Sequence, residues 1–100
     1  VASAVPDGAA TARRIAAAVR ALPDVAGLSA GPFGTVATPD LGGRVEGVAV
    51  RADTVEIAVV ARWGRPLPGI ADDVRAAAAG LLPEGVGVHV DVADVATGTE

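Results

Sequence analysis

The segment VEGVAVRADTVEIAVVARW, Val45 to Trp63, leaves this chain little freedom in how it folds. Val55, Ile57, Val59 and Ala61 alternate with Glu56, Ala58, Val60 and Arg62, the period-two pattern of a strand with one buried face. Val48 and Val50 precede it across Arg51-Ala52-Asp53-Thr54, so the two β-rich runs read as an antiparallel hairpin around a polar turn. A strand with one apolar face needs other elements to cover that face.

Two helices are available for the task. Residues 9–22 place Ile15, Val19 and Leu22 on one helical stripe, with Arg13, Arg14 and Arg20 largely off it. Asp7 stands where an N-terminal cap belongs, and Pro23 ends the run. The second helix, within residues 66–82, carries Leu67, Ile70, Val74, Ala77, Ala78 and Leu81 on one face. Asp72 and Asp73 fall in its early turns, where the helix dipole favours negative charge. Between helix one and the hairpin, turn formers dominate, with a short strand at Val25–Leu28 and a second fragment at Thr35–Ala37. Val86, Val88, Val90 and Val92 then alternate with His89 and Asp91 in a closing, half-buried strand.

The order α-β-(β)-β-β-α-β predicts an α+β fold: a small mixed sheet of three to four strands with both helices packed on one face. The last helix connects two strands that must run parallel, while the hairpin is antiparallel. The chain of 100 residues is expected to form a single domain, with 1–8 and 96–100 flexible.

Composition narrows the function classes. Hydrophobic residues make up 51% and charged residues 20%, which argues for a globular domain and against disorder. Cysteine is absent, which removes thiolate chemistry. No apolar run approaches the roughly 20 residues of a membrane span, and no secretory signal is visible at the start. A net charge of −4 is a poor match for nucleic acid. Arg13, Arg14 and Arg20 read as a solvated helix face, since three charges hold an anionic surface weakly.

The second sheet face has no helix left to cover it. Glu56, Ala58, Val60, Arg62, His89 and Asp91 fall on that face, with Ala93 beside them, an apolar centre inside a charged rim. This is the candidate interaction surface. His89 and Asp91 share the face as acid–base partners would, but Ser3 and Ser29 lie too far along the chain to serve as nucleophile. With one histidine and no cysteine, and with Asp72 and Asp73 pointing apart on a helix, neither a metal site nor a cofactor site is expected. The Gly-x-x-Gly of Gly31–Gly34 lacks the basic residues and flanking helices of a nucleic-acid clamp. It reads as a turn whose Phe33 packs or meets a partner.

Trp63, the single tryptophan, shares the parity of Val55 and Val59 and is expected to cover the end of the core. On that reading Arg65 lies along the outer side of the indole. The competing reading makes Trp63, Arg65 and Phe33 the contacts of a ligand or partner.

Four stretches in order carry a resemblance. LPDVAGLS (Leu22–Ser29), VEGVAV (Val45–Val50), ARWGRPLPGIADDV (Ala61–Val74) and VGVHVDV (Val86–Val92) together resemble the alkaline shock protein family, the envelope stress response proteins of Gram-positive bacteria. Trp63 stands where that family usually carries tyrosine. The resemblance implies a small cytoplasmic, non-enzymatic protein. It also implies association with the membrane through a separate anchor protein.

The expected function is therefore a protein-interaction and self-assembly module that forms a homo-oligomer. The alternative is a small-ligand binder with a pocket around Trp63 and the start of helix two.

Overall fold

The computed structural model describes Val5 and residues 7–97. Helix α1 spans Gly8–Arg20 and opens on Asp7, whose carboxylate accepts the Ala10 N–H at 3.2 Å. That bond satisfies one of the amide groups a helix start leaves unpaired. Thr11, Ala12, Ile15, Ala16 and Val19 form its buried stripe, and the arginines face away from it.

The main sheet has four strands: β1 (Val25–Leu28), β4 (Val48–Val50), β5 (Thr54–Arg62) and β6 (Gly87–Ala96). β4 and β5 form the expected hairpin, with Val50 opposite Val55 and Val48 opposite Ile57. β1 pairs antiparallel with the far half of the same edge, Leu28 opposite Val59 and Val25 opposite Ala61. β1 and β4 thus lie end to end along one side of β5. At the seam the Ala58 N–H donates to the Gly47 carbonyl, and the Ser29 N–H donates to the Ala58 carbonyl.

Helix α2 (Leu67–Ala79) carries the chain over to β6, which runs parallel to β5 along its other edge. The sheet is therefore mixed. Register holds from Thr54–Gly87 to Val59–Val92 and then slips by one residue, so that Val60 faces Asp94. Ala93, read in the sequence as part of the open face, is the extra residue of this bulge.

Both helices pack on the same side. Ile15 and Val19 of α1 and Ile70, Val74 and Ala78 of α2 meet Val48, Val55, Ile57, Val59 and Ala61 in one cluster. At about 1.5–3 kcal/mol for each fully buried Val or Ile, this cluster is the main source of stability. Two positions assigned to the buried face of α2 are not buried. Leu67, 38% exposed, opens the helix ahead of its first buried residue, Ile70, and Leu81, 36% exposed, lies beyond the helix end at Ala79.

A small second sheet pairs β2 (Ala37–Asp40) with β3 (Gly43–Glu46) around Leu41-Gly42. The expected fragment at Thr35–Ala37 overlaps β2 at Ala37 alone. The continuous run VEGVAV is in fact two strands, broken at Gly47 between β3 and β4. Thr38 of β2 reaches the outer edge of β4. Its hydroxyl donates to the Val48 carbonyl at 2.7 Å and accepts the Val50 N–H at 3.0 Å. One side chain thereby occupies two backbone groups that an edge strand would otherwise leave bare.

Of the terminal segments expected to be flexible, Val5 is buried in the core, Asp7 caps α1, Gly8 lies in α1 and Ala96 closes β6. Residues 1–4, 6 and 98–100 lie outside the described residues.

Candidate interaction surface

The second sheet face is not uniformly open. Ala58, assigned to its apolar centre, is 2% exposed. The chain leaving β1 folds beneath it, and Val36 and Ala49 join Ala58 in a small second core. The Val36 N–H donates to the Ala30 carbonyl, and the Gly47 N–H donates to Val36 at 2.7 Å, which holds that cover in place. Ala58 therefore leaves the candidate surface. Val60 is half-buried, and Arg62 is exposed at the end of β5.

Glu56, His89 and Asp91 are brought together. The β5–β6 register sets Glu56 beside His89 and Ala58 beside Asp91. His89 Nε2 lies 2.9 Å from Asp91 Oδ1, and Arg51 from the hairpin turn donates to Glu56 at 2.8 Å. The hydrogen bond from Arg51 holds the Glu56 carboxyl below its ordinary range, helped by its bond to Asp91. Asp91 moves the other way, raised first by its bond to Glu56 and then by burial. The result is a row of ionisable groups, Arg51–Glu56–Asp91–His89, across the exposed face of two parallel strands. Arg51 belongs to the site although the sequence placed it only in a turn.

Trp63 is 76% exposed, which overturns its assignment as cover for the core. Alternation predicts burial only while the strand continues. β5 ends at Arg62, the Trp63 N–H makes a last bond to the Ala96 carbonyl, and the chain swings away at Gly64, where φ is 123°. The buried residues of α2 begin only at Ile70, so no helix lies over the indole. Trp63, Leu67 and Val95 instead line an open cleft of about 390 Å³ with the turn from Arg62 to Pro66. Phe33 is absent from this cleft. It is 86% exposed at the tip of the Gly31–Gly34 turn, which the Gly34 N–H closes by donating to the Gly31 carbonyl.

Arg65 lines the same cleft as Trp63 and is held there by two carboxylates. Its Nη1 reaches Asp24 at 2.7 Å and Asp73 at 2.6 Å, and these bonds raise its pKa further, Asp73 first. A Cβ at Gly69 would stand 3.1 Å from the guanidinium, so a small residue there makes room for it. The bridge ties the approach to β1 to the β5–α2 connection and to the middle of α2. It also corrects the part assigned to the acidic pair: no acidic residue lies in the first turn of α2, and Asp73 and Asp72 serve Arg65 and Arg75. Arg62 makes no ion pair among the described residues.

The arginines of α1 are likewise partly spoken for. Arg13 donates to Asp40 at 2.7 Å, which lowers the Asp40 carboxyl, and Arg44 pairs with Glu46 along β3, beside the same hollow. Among the described residues no group of three or more His, Asp or Glu is arranged to hold a metal ion. No helix among them is long and apolar enough to cross a membrane. No family model matches the chain, and neither a curated protein nor a solved structure matches it.

Proposed function

We propose that the chain is a non-enzymatic module that assembles with copies of itself and that resembles the alkaline shock proteins in its motif series. The observation that carries this reading is the asymmetry of the sheet. One edge is divided between two short strands, and Thr38 occupies the backbone of β4. The other edge is β6, ten residues long, with no further strand against it among the described residues. A long bare edge is a template for pairing with another chain.

The setting of His89 and Asp91 supports a role without catalysis. Both stand on a solvated face, where water screens charge and competes for each proton, whereas acid–base catalysis relies on a site that excludes it. The same resemblance points to a cytoplasmic protein of the envelope stress response with a membrane-anchored protein as its second partner. Light scattering from micromolar to millimolar concentration tests the assembly. A mass rising reversibly above the monomer is expected, and a strictly monomeric mass at millimolar concentration overturns it.

A second reading rests on the cleft at Trp63. It lies at the carboxyl ends of the parallel strands β5 and β6, the position where open α/β sheets hold ligands. Arg62, without an acidic partner among the described residues, and the bare indole suit a small aromatic carboxylate. Titration with such acids, followed by Trp63 fluorescence, decides between the readings.

A further inference from the structure

The open edge of β6 has a register built into it. Gly87 donates its N–H to the Asp53 carbonyl, and Ala96 accepts from Trp63, so both residues turn their backbone groups toward β5. Alternation along the strand then turns those of Gly87, His89 and Asp91 inward and those of Val88, Val90 and Val92 outward. An antiparallel partner can bond only to the outward set. Beyond Val92 the bulge at Ala93 breaks the alternation and limits pairing to the first half of the strand.

We infer that the partner is a second copy of this chain, joined β6 to β6 in antiparallel register about a two-fold axis through Val90. This rests on the self-assembly reading and specifies its surface. In that register Val90 bonds its own counterpart and Val88 bonds Val92 of the other copy. His89 then stands directly opposite Asp91 of the other copy, and Asp91 opposite its His89. Both pairs fall on the same exposed face, because a two-fold axis perpendicular to the sheet carries each face into itself.

The neighbouring registers that also satisfy the outward amides are unfavourable. An axis through His89 sets two histidines opposite each other, and an axis through Asp91 sets two carboxylates opposite each other. Like charges directly opposite on paired strands repel, and opposite charges attract. Only the axis through Val90 sets each imidazole against a carboxylate of the other copy while pairing all three valines. The arrangement also answers a local imbalance. Asp91 already shares its surroundings with the carboxyl of Glu56, and a second imidazole offsets that crowding of negative charge.

Charge exchange tests the register. His89→Glu and Asp91→Arg, made singly, should each weaken self-association roughly tenfold or more, since the first sets carboxylates opposite each other and the second takes the carboxylate away from the facing imidazole, each in two symmetric pairs. The double variant restores opposite charges and should return the dissociation constant to near the wild-type value. In parallel, amide exchange on the unmodified protein should show Val88, Val90 and Val92 gaining protection with concentration, which no loss of folding can mimic. A double variant as weak as the single ones overturns the register. Self-association without protection of these amides overturns β6 as the surface but leaves the assembly reading standing. A chain that stays monomeric at millimolar concentration overturns both, and protection only on adding a different protein overturns the second copy as occupant.

Discussion

Gly47 sits hard against Leu28: a Cβ at position 47 would stand 2.5 Å from the Leu28 Cβ, closer than real side chains approach. The contact arises because β1 and β4 abut along a single edge of β5, and the chain must pass through the junction with φ at 89°. Gly47→Ala is therefore expected to cost about 2–4 kcal/mol, from backbone strain and the clash together. Gly42→Ala is the control, since nothing lies within 4 Å of its Cβ position. Urea titration of the two variants should show a large loss for the first and almost none for the second.

Thr38 makes a similar point through hydrogen bonding. Thr38→Val keeps the shape of the side chain but abandons the Val48 carbonyl and the Val50 N–H on a covered edge. A loss of about 1–3 kcal/mol is expected from the unpaired groups. Thr38→Ser should recover most of it. If Thr38→Val unfolds at the wild-type urea concentration, water replaces the hydroxyl and β4 is not sealed.

Trp63→Ala should leave the fold intact, with a change within about 1 kcal/mol, as exposed positions usually do. The indole should also be quenched freely by iodide in the native state. An emission maximum typical of a buried ring, or a large drop in melting temperature, would contradict the exposed position.

These three outcomes also mark where the sequence was legible. Both helices, the β4–β5 hairpin, the parallel return of β6 and the face the helices cover were readable, because each rests on periodic burial sustained over several residues. Trp63 was misread because the alternation was carried one residue past the last paired rung, where nothing obliges a side chain to be buried. Ala58 was misread for the opposite reason. Its cover comes from Val36 in a segment of turn formers, and no period in that segment announces where it will fold. The β2–β3 hairpin escaped notice because its strands are four residues each and Pro39 sits in one of them. In the candidate site, His89, Asp91 and Glu56 were placed on one face by parity alone. Arg51 was not, since a turn has no parity.

The carboxyl pair gives a pH dependence of defined sign. Asp91 has a folded pKa above its unfolded one, so its ionisation disfavours the fold, and this cost sets in as pH rises through the ordinary carboxylate range to the raised value. Glu56 is shifted down, so its contribution is present above that range and fades as pH falls through its lowered value. Asp91→Asn keeps a neutral hydrogen-bonding group in place of the carboxyl. In dilute monomeric protein the variant should melt higher than wild type at neutral pH and equally with it once Asp91 is protonated. A lower melting temperature at neutral pH would mean that the link between Asp91 and His89 outweighs the crowding from Glu56.

The hydroxyl of Thr38 bears on more than the strand it touches. A molecule that can be extended at both ends of its sheet is a monomer in the polymer sense, and nothing but concentration stops its growth. Here one end is divided between two short strands and Thr38 occupies the β4 half, so β6 is the one long edge among the described residues and the chain has in effect a valence of one. Any pairing through β6 uses up that valence, so growth terminates at the first step instead of running on into a fibre. Removing a single oxygen atom at position 38 would bare the β4 half of that edge, and with it the first step of a second point of growth.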